Sequence, residues 1–378
     1  MDKLNYNQKY KITTLSPIHI GNGDSYQKYI DFVPHKNGAL LYDTDEIFDK
    51  IANDRKAIDE LYQTTSGTQS NIHNFVEKQN LVLENTVKIP FKVFSFNIQK
   101  LIRNGMGYPQ IPGSSLKGGL RSALYAHYFS RLSKQKQKEL LNTIQPKTWG
   151  KFAAREIERE LFGSDPTQDL MKAFIVTDAD FSKENVKYND CRILSLKKNG
   201  GWSWKTKKVR GNTFPMNVYF EAIRENASSY LTLGIDQFLL KNPNAQKKLG
   251  FDKKLSADFT AIHSVINQHT ENLIDQELDF LYDHDKNNKL KAITSFYEKL
   301  RYSIPEPSKG CLLRIGWGSG WKFITGNILK DHPDHLKKFR KQFKMGRKGF
   351  SEYPKSRKII MSGRNPATVP GWIKLEQV

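Results

Sequence analysis

The chain has 378 residues, 38% of them hydrophobic, so it is long enough for two or three structural units with ordinary cores. Lys and Arg outnumber Asp and Glu by 60 to 39, which leaves a formal net charge of +21. Such an excess repels itself in a compact state unless an anionic partner neutralises it, and nucleic acid is the first partner to consider.

A membrane surface is the competing anionic partner. The sequence has no apolar run of about 18 residues and no basic segment followed by an apolar one at its N-terminus. Its two cysteines, Cys191 and Cys311, are too few for a disulfide scaffold or a CxxC metal site. We therefore expect a soluble cytoplasmic protein with no membrane contact, whose two thiols are structural.

The N-terminal part of the chain alternates strands with turns and then becomes helical. Residues 9–15 alternate polar with apolar side chains and predict a first strand that ends at Ser16-Pro17. A turn-rich segment follows at 18–25, and a strand and hairpin are predicted within 29–42. From about 43 to 85 the apolar residues take helical spacing, which indicates a helical insertion lying over the core.

The most informative segment lies near residue 115. After a predicted strand at 87–96, the stretch 111–121 reads IPGSSLKGGLR, a glycine-rich turn that leads directly into a helix predicted to run to about Leu132. A backbone arranged in this way is typical of phosphate-binding sites.

Four side chains carry this interpretation. Ser114 or Ser115 is a suitable N-cap for the helix. The free N–H groups of its first turn carry partial positive charge, to which Lys117 and Arg121 add full charges. The pattern predicts a place for an anion; a plain capped amphipathic helix after a tight turn is the alternative.

The second half of the chain has a similar mixture of elements. Residues 133–160 have helical spacing, and 173–179 are apolar almost throughout, which predicts a central strand covered on both faces. The stretch 197–210 combines six basic residues with two tryptophans, a strand follows at 217–223, and 228–300 are mostly helical by pattern.

Near the C-terminus a second glycine-rich loop follows a short strand. The strand is predicted at 311–315, and the loop at 316–322 reads GWGSGWK, with aromatic walls. A tail from 337 to 364 is dense in Lys and Arg and is expected to wrap a surface before a last strand at 372–375.

These features together favour a protein that binds single-stranded nucleic acid. Backbone N–H groups and lysines bind phosphates, and tryptophans stack on unpaired bases at roughly 1–3 kcal/mol per base. The alternative for Trp202 and Trp204, which have strand spacing, is one face of a hairpin packed on the core.

Catalytic signals are weak. The nine histidines are scattered, and none lies in an HxxxH or HExxH pattern. His19 could act as a general base or phosphate ligand, or hydrogen-bond the loop backbone. Asp24 and Asp31 could support metal-assisted cleavage, or serve as an Asx-turn residue and a polar hairpin position. We expect no metal and no cofactor.

Four segments in fixed order resemble the RAMP superfamily of CRISPR-associated proteins. They read SPIHIGNG (16–23), IPGSSLKGGLR (111–121), LFG (161–163) with FIVTDA (174–179), and IGWGSGW (315–321). In its length, helical insertion and glycine-tryptophan loop, the chain looks most like the subunit that ends the backbone filament of type III-A Csm effector complexes.

This resemblance implies an α+β protein with a ferredoxin-like (RRM-type) core and helical insertions, containing two such modules. The first would span 1–226 and include the insertion at about 43–85. The second, degenerate one would span 227–378 and include a helical segment, the glycine-tryptophan loop and the basic tail.

The resemblance also implies a role. Such a subunit binds the 3′ part of crRNA, contacts neighbouring RAMP backbone subunits, assists crRNA 3′-end maturation by recruiting host nucleases, and has no catalysis of its own. In the related filament-forming subunit an acidic hairpin residue cuts target RNA, and Asp31 stands near the equivalent place. A metal-dependent endoribonuclease using Asp31 is therefore the alternative, and a pure protein-interaction subunit is a third possibility.

On these grounds fifteen residues are predicted to bind RNA. They are His19, Gly21, Gly23, Gly113, Ser114, Ser115, Lys117, Gly118, Arg121, Trp202, Lys205, Gly316, Gly318, Gly320 and Lys322.

Overall fold

The computed structural model describes residues 5–66, 71–144, 152–198, 200–209, 211–249, 258–346 and 352–378. Within these ranges no helix combines the length and apolar character needed to cross a membrane. Cys191 and Cys311 are both free and fully buried.

The strands are β1 (Asn5–Thr14), β2 (Gly21–Gln27), β3 (Phe32–His35), β4 (Gly38–Leu41), β5 (Val87–Ile89), β6 (Asn97–Leu101), β7 (Gln110–Ile111), β8 (Phe174–Val176), β9 (Ala179–Asp180), β10 (Val186–Leu196), β11 (Trp202–Trp204), β12 (Thr206–Val209), β13 (Asn212–Pro215), β14 (Asn217–Ile223), β15 (Ser228–Asp236), β16 (Gly310–Arg314), β17 (Ser356–Ser362), β18 (Asn365–Thr368) and β19 (Trp372–Gln377). The α-helices are α1 (Thr44–Ile51), α2 (Arg55–Ser66), α3 (Ile72–Lys78), α4 (Gly113–Arg131), α5 (Lys134–Asn142), α6 (Arg155–Phe162), α7 (Gln237–Lys241), α8 (Pro243–Leu249), α9 (Phe259–His284), α10 (Lys291–Tyr302) and α11 (Pro333–Gln342).

A five-stranded sheet has the first strand at its centre. Its order is β16-β19-β1-β15-β8, and all neighbours are antiparallel. The period of two along β1 buries Tyr10 and Ile12. They share one apolar cluster with Leu116 and Leu120 of α4 and with Ile266 of α9. Helices α4 and α9 therefore cover one face of this sheet.

A second sheet has the order β18-β17-β10-β14-β6-β2, with β11 paired to β10. Leu194 and Ile359 pack against residues of α9 and α10, Tyr297 among them. Cys191 and Phe220 belong to a separate cluster that includes the partly buried Trp317. The glycine-tryptophan loop that carries Trp317 thus packs on this second sheet.

The helices predicted after residue 43 are present as α1, α2 and α3. They enclose an apolar cluster of their own, which includes Ile47, Leu61 and Phe75. These helices lie between β4 and β5 in the chain, and β4 pairs with both β3 and β5 in a small three-stranded sheet.

The helical prediction for 228–300 is wrong over its first nine residues. Residues 228–236 form β15, which pairs with β1 along nearly its whole length. Leu231, Leu233 and Ile235 are buried at alternate positions, so the segment has the period of a strand. Helices occupy much of the rest of this region, as α7 to α10.

Two other strand predictions are also corrected. The predicted central strand at 173–179 is the short β8 at the edge of its sheet, where Ile175 is 39% exposed. The predicted strand at 87–96 stops at Ile89, since Pro90 follows and has no N–H to donate. Phe94 and Phe96 beyond it are exposed.

The turn-rich segment and the basic tail contain regular structure. Strand β2 occupies most of 18–25 and continues to Gln27. The tail predicted at 337–364 contains much of α11 and the whole of β17, which lies between β18 and β10 and buries Ile359, Ile360 and Met361. These three apolar residues, rather than the surrounding charges, determine its place.

The five-stranded sheet crosses the predicted boundary at residue 226. Strands β1 and β8 precede that boundary, whereas β15, β16 and β19 follow it. The two-module division stays a prediction, but strands from both sides of the boundary share one sheet.

The start of α4 packs tightly against β8. A Cβ placed on Gly113 would lie 2.2 Å from the carbonyl oxygen of Val176, whereas one placed on Gly118 would meet nothing within 4 Å. Gly113→Ala should therefore lower the free energy of unfolding by about 1–3 kcal/mol through overpacking.

Gly118→Ala is the matched control and should be neutral or stabilising by up to about 1 kcal/mol, because alanine favours a helix interior. Thermal unfolding followed by circular dichroism measures both variants. Equal midpoints for the two would contradict the close packing at Gly113.

Candidate nucleic-acid interface

The glycine-rich motifs, far apart in the sequence, meet in the fold. The N–H of Trp317 donates to the carbonyl of His19 at 2.8 Å, which joins the glycine-tryptophan loop to the segment after β1. A Cβ placed on Gly119 would lie 2.9 Å from Cγ2 of Ile315, so α4 packs closely against the start of the same loop. One continuous region therefore contains these three motifs.

The fourth motif provides the N-terminal cap of α4. Gly113 donates its N–H to Oδ1 of Asp178 at 2.7 Å, and Pro112 occupies the N-cap position. The predicted N-caps Ser114 and Ser115 are therefore wrong, because an acidic side chain from the β8–β9 connection reaches the helix end. This carboxylate also offsets part of the positive charge expected there.

Lys117 and Arg121 point into the protein. The Lys117 ammonium donates to the carbonyl of Phe174 at 2.8 Å, and burial lowers its pKa. Arg121 pairs with Asp169 at 2.7 Å and Glu158 at 3.6 Å. In this structure both side chains tie α4 to neighbouring elements, and their predicted contact with phosphates stays a prediction.

The solvent-facing side of the first turns of α4 carries no bulky side chain at two exposed positions. Ser114 and Gly118 lie one turn apart and are exposed. Because Gly118 has no side chain, another backbone can approach α4 closely here. Ser115 is half-buried, with its N–H bonded to the carbonyl of Pro112.

His19 lies beneath this surface rather than on it. Its side chain is 3% exposed, and Nδ1 lies 2.6 Å from the carbonyl oxygen of Glu221 on β14. The ring packs against Phe220 and Trp317, and burial lowers its pKa. The expected backbone hydrogen bond is present, with a partner on another strand. Buried in this way, the ring joins the loop to β14, and its predicted contact with RNA stays a prediction.

The glycines after His19 form part of an exposed edge. Gly21 and Gly23 belong to β2, the last strand of the second sheet, where the pairing with β6 is irregular. Gly23 has φ +97°, a conformation that favours glycine, and Asn22 accepts the N–H of Asp24 there. The turn leaves backbone open to solvent.

The second glycine loop has positive φ at Gly316, Gly318 and Gly320. A Cβ on Gly316 would lie 2.6 Å from the carbonyl oxygen of His19, so any side chain there would separate the two motifs. Gly320 is exposed. Lys322 pairs with Glu352 at 3.4 Å, which uses part of its charge within the protein.

The predicted stacking role of Trp202 is not supported by its environment. Trp202 and Trp204 pack on the cluster formed with α9 and α10, with ring centroids 5.1 Å apart. Trp202 also donates its indole N–H to Asp285 at 3.1 Å. The alternative of a hairpin packed on the core describes both residues. Lys205, just beyond them, is exposed.

Asp31, the proposed cleavage residue, has a local role in this structure. Its carboxylate accepts the N–H of Gln27 at 2.6 Å, which stabilises the turn between β2 and β3. Across the ranges that the structure describes, no three His, Cys, Asp or Glu side chains form a group that could hold a metal ion.

The sequence analysis missed Glu221, the buried carboxylate beneath the motifs. Its side chain is fully buried, and Oε1 accepts from Tyr26, Tyr188 and Arg103 at 3.0–3.1 Å. Oε2 accepts the N–H of Leu101 at 2.9 Å. Burial raises the pKa of both tyrosines, and the nearby carboxylate raises it further. The one signal in the sequence was an acidic residue within the apolar strand 217–223.

Glu221→Gln should destabilise the fold strongly. Removing one partner of a buried ion pair costs about 3–5 kcal/mol, because the remaining groups lose their compensation. Glu156→Gln, which breaks an exposed pair with Arg159, is the control and should cost less than about 1 kcal/mol. Urea unfolding compares them, and similar losses would argue against a structural role for Glu221.

Comparisons with known proteins test the resemblance to the RAMP superfamily. The model of the RAMP superfamily matches residues 11–323. A relative from Methanocaldococcus jannaschii, named CRISPR system Cms protein Csm5, is 23% identical over 383 residues, which cover 96% of this chain and 81% of that protein. One of the same name from Streptococcus thermophilus is 26% identical over 243 residues, or 57% of this chain and 60% of that protein.

Two solved structures share the fold. A chain in a cryo-EM structure of a type III-A Csm–crRNA–target RNA ternary complex has a TM-score of 0.68 at 20% identity, covering 98% of this chain and 100% of that one. The crystal structure of T. onnurineus Csm5 has a TM-score of 0.62 at 20% identity, covering 96% and 99%. The resemblance predicted from the motifs is confirmed, and the chain belongs to the RAMP superfamily.

Proposed function

We propose that this protein is a crRNA-binding structural subunit of a type III-A CRISPR (Csm) effector complex. The observation that carries this proposal is the convergence of the RAMP motifs into one region with an exposed, glycine-rich backbone. The relatives named Csm5 support the assignment to such a complex. We place the subunit at the crRNA 3′ end, beside other RAMP subunits, where it assists 3′-end maturation through host nucleases in RNA-guided antiviral defence.

The fold that we propose for the RNA-binding core is ferredoxin-like. Following β1, α4, β8, β15, α9 and β19 along the chain gives four antiparallel strands with a helix after the first and third. Their spatial order is fourth, first, third, second, with β16 added outside the fourth. We further propose the second sheet as the degenerate second module, so that each module takes strands from both halves of the chain.

In this proposal RNA lies along the bare backbone of the convergent motifs. Ser114 and Gly118 on α4, Gly23 on the β2 edge and Gly320 offer surfaces without bulky side chains. Phosphates at such surfaces accept hydrogen bonds from N–H and hydroxyl groups. The net charge of +21 supplies the long-range attraction. Lys117 and Arg121 contribute to RNA binding through the electrostatic potential of the protein and by holding α4 in place.

An added negative charge on this surface should weaken RNA binding. Gly118→Glu places a carboxylate on the exposed face of α4 without touching the core. We expect about ten-fold lower affinity, since one charge near a phosphate at a protein surface is worth on the order of 1 kcal/mol or more. Fluorescence anisotropy with a labelled single-stranded RNA measures this change.

The control is Ser130→Glu, an exposed position near the other end of α4 that adds the same charge. It should leave the affinity within about two-fold, because screening weakens the interaction beyond about 10 Å. Equal weakening by both variants, or by neither, would contradict the proposed surface. We prefer this pair to Lys117→Ala with Arg121→Ala, whose internal contacts would confuse binding with stability.

We also propose that the subunit has no catalysis of its own. The hydrogen bond between Asp31 and Gln27 supports a structural role for that carboxylate. Purified protein incubated with labelled single-stranded RNA and Mg²⁺ should leave the RNA intact, as should Asp31→Ala. Cleavage by the wild-type protein that disappears in Asp31→Ala would instead establish the endoribonuclease.

A subunit that contacts proteins alone would give a different result. Its association with neighbouring RAMP subunits would survive RNase treatment, while the isolated chain would bind no RNA. The anisotropy measurement therefore separates this outcome from the proposed one.

A further inference from the structure

A cavity of about 240 Å³ lies behind the second glycine loop. Its walls come from that loop, from α9 and α10, and from β17. Leu281, Ile293 and Phe323 line it with apolar surface, and Tyr297 adds an aromatic ring. Cavities that hold drug-sized ligands usually measure roughly 300–1,000 Å³. This one therefore suits a single small unit rather than a length of polymer.

The cavity is strongly basic. Five cationic side chains contribute to its lining, against one carboxylate, that of Glu277. The cations are Lys205, Arg314, Lys322, Arg357 and Lys358. Two of them are neutralised within the protein, because Arg357 pairs with Glu277 at 2.5 Å and Lys322 pairs with Glu352 at 3.4 Å. No carboxylate in the described part of the chain pairs with the other three.

Arg314 is held in a fixed position at this cavity. Its guanidinium donates to the carbonyl oxygens of Pro370 at 3.0 Å and Gly318 at 3.4 Å and lies 3.4 Å from the hydroxyl of Tyr297. It also stacks over the ring of Phe323, 4.5 Å from the centroid. Because these partners are neutral, the positive charge stays available to an anion.

Lys358 brings a second charge without a carboxylate partner to the lining of the same cavity. Its ammonium lies 4.0 Å from the centroid of the Trp317 ring, within the glycine-tryptophan loop. Burial lowers its pKa; Cys191 acts in the opposite direction, and Arg314 lowers the pKa further. Like charges that line one cavity repel each other, and a bound anion would relieve that repulsion.

We propose that this cavity binds one unstacked nucleotide, with its phosphate between Arg314 and Lys358 and its base against the apolar wall of Leu281, Ile293 and Phe323. The proposal rests on the proposed RNA-binding function only for the source of the nucleotide, which we take to be a strand that passes over the Gly316–Gly320 loop. Lys205, exposed at the cavity, contacts the same phosphate.

The first test uses adenosine 5′-monophosphate (AMP) as the probe. Trp321, one of six tryptophans, lines the cavity, so a change in the tryptophan fluorescence of the protein reports occupancy. AMP should bind more tightly than adenosine or inorganic phosphate alone, because it contacts both the cations and the apolar wall. Lys358→Gln should weaken AMP at least about ten-fold, the effect expected from losing a hydrogen bond to a charged group.

Two further variants keep this test decisive. Lys205→Gln removes an exposed charge and should also weaken AMP while the fold is kept, which guards against misfolding of Lys358→Gln. Lys337→Gln removes an exposed charge on α11 and should leave AMP binding unchanged. Absence of AMP binding, or equal AMP binding by all variants, would overturn the proposal.

Competition with single-stranded RNA identifies the source of the nucleotide. Displacement of AMP by RNA supports a nucleotide within a strand. If RNA binds and AMP stays in place, the cavity takes a free nucleotide and the assignment to a strand is overturned. If RNA binds while AMP never does, the cavity proposal fails and the proposed function stands. If AMP binds while RNA does not, the proposed RNA-binding function fails and the cavity remains a nucleotide site.

Discussion

A buried carboxylate needs hydrogen-bond donors at both of its oxygens, and in this fold Glu221 carries such a buried carboxylate. Uncompensated burial of its charge would cost several kcal/mol, so donors must come to it from three other strands: Tyr26 of β2, the N–H of Leu101 and the guanidinium of Arg103 at β6, and Tyr188 of β10. None of these strands can slide without leaving a donor or acceptor unpaired. The carbonyl of the same residue lies within hydrogen-bonding distance of His19. The glycine-rich surface therefore lies on a rigid base.

The sequence predicted those parts of the fold and site that depend on local pattern. Strand β1, helix α4 and the second glycine loop lie where spacing and composition place them, and the order of the motifs indicates the family. The roles of individual charges were not predictable in this way. The segment that contains Lys117 and Arg121 has the residue types of a phosphate site, but its acidic partners are distant in sequence. Asp169 is 48 residues from Arg121, and Asp178 is 65 residues from the helix end that it caps. Only the tertiary structure brings these acceptors near.

The errors in secondary structure have a similar origin. Buried and more exposed side chains alternate along much of Ser228–Asp236, as in a strand. A long helical region follows, and its spacing dominates when the periodicity is judged over a wide range of sequence. Residues 173–179 are apolar enough for a central strand, yet β8 is at an edge because no further strand adds beyond it in the sheet that the structure describes. The position of a strand in a sheet depends on which other strands pair with it on each side, and its hydrophobicity does not specify those strands.

The burial of both cysteines makes their thiols unreactive. Burial raises the pKa of Cys191 to about 12 and that of Cys311 as well, so neither thiol is available as a thiolate near neutral pH. A single cysteine introduced at an exposed position would therefore be the reactive thiol among the residues described. Position 118 offers open space, and position 119, one residue away, does not. A fluorescent or spin label at 118 could follow the approach of a strand to α4 while the native thiols remain unlabelled.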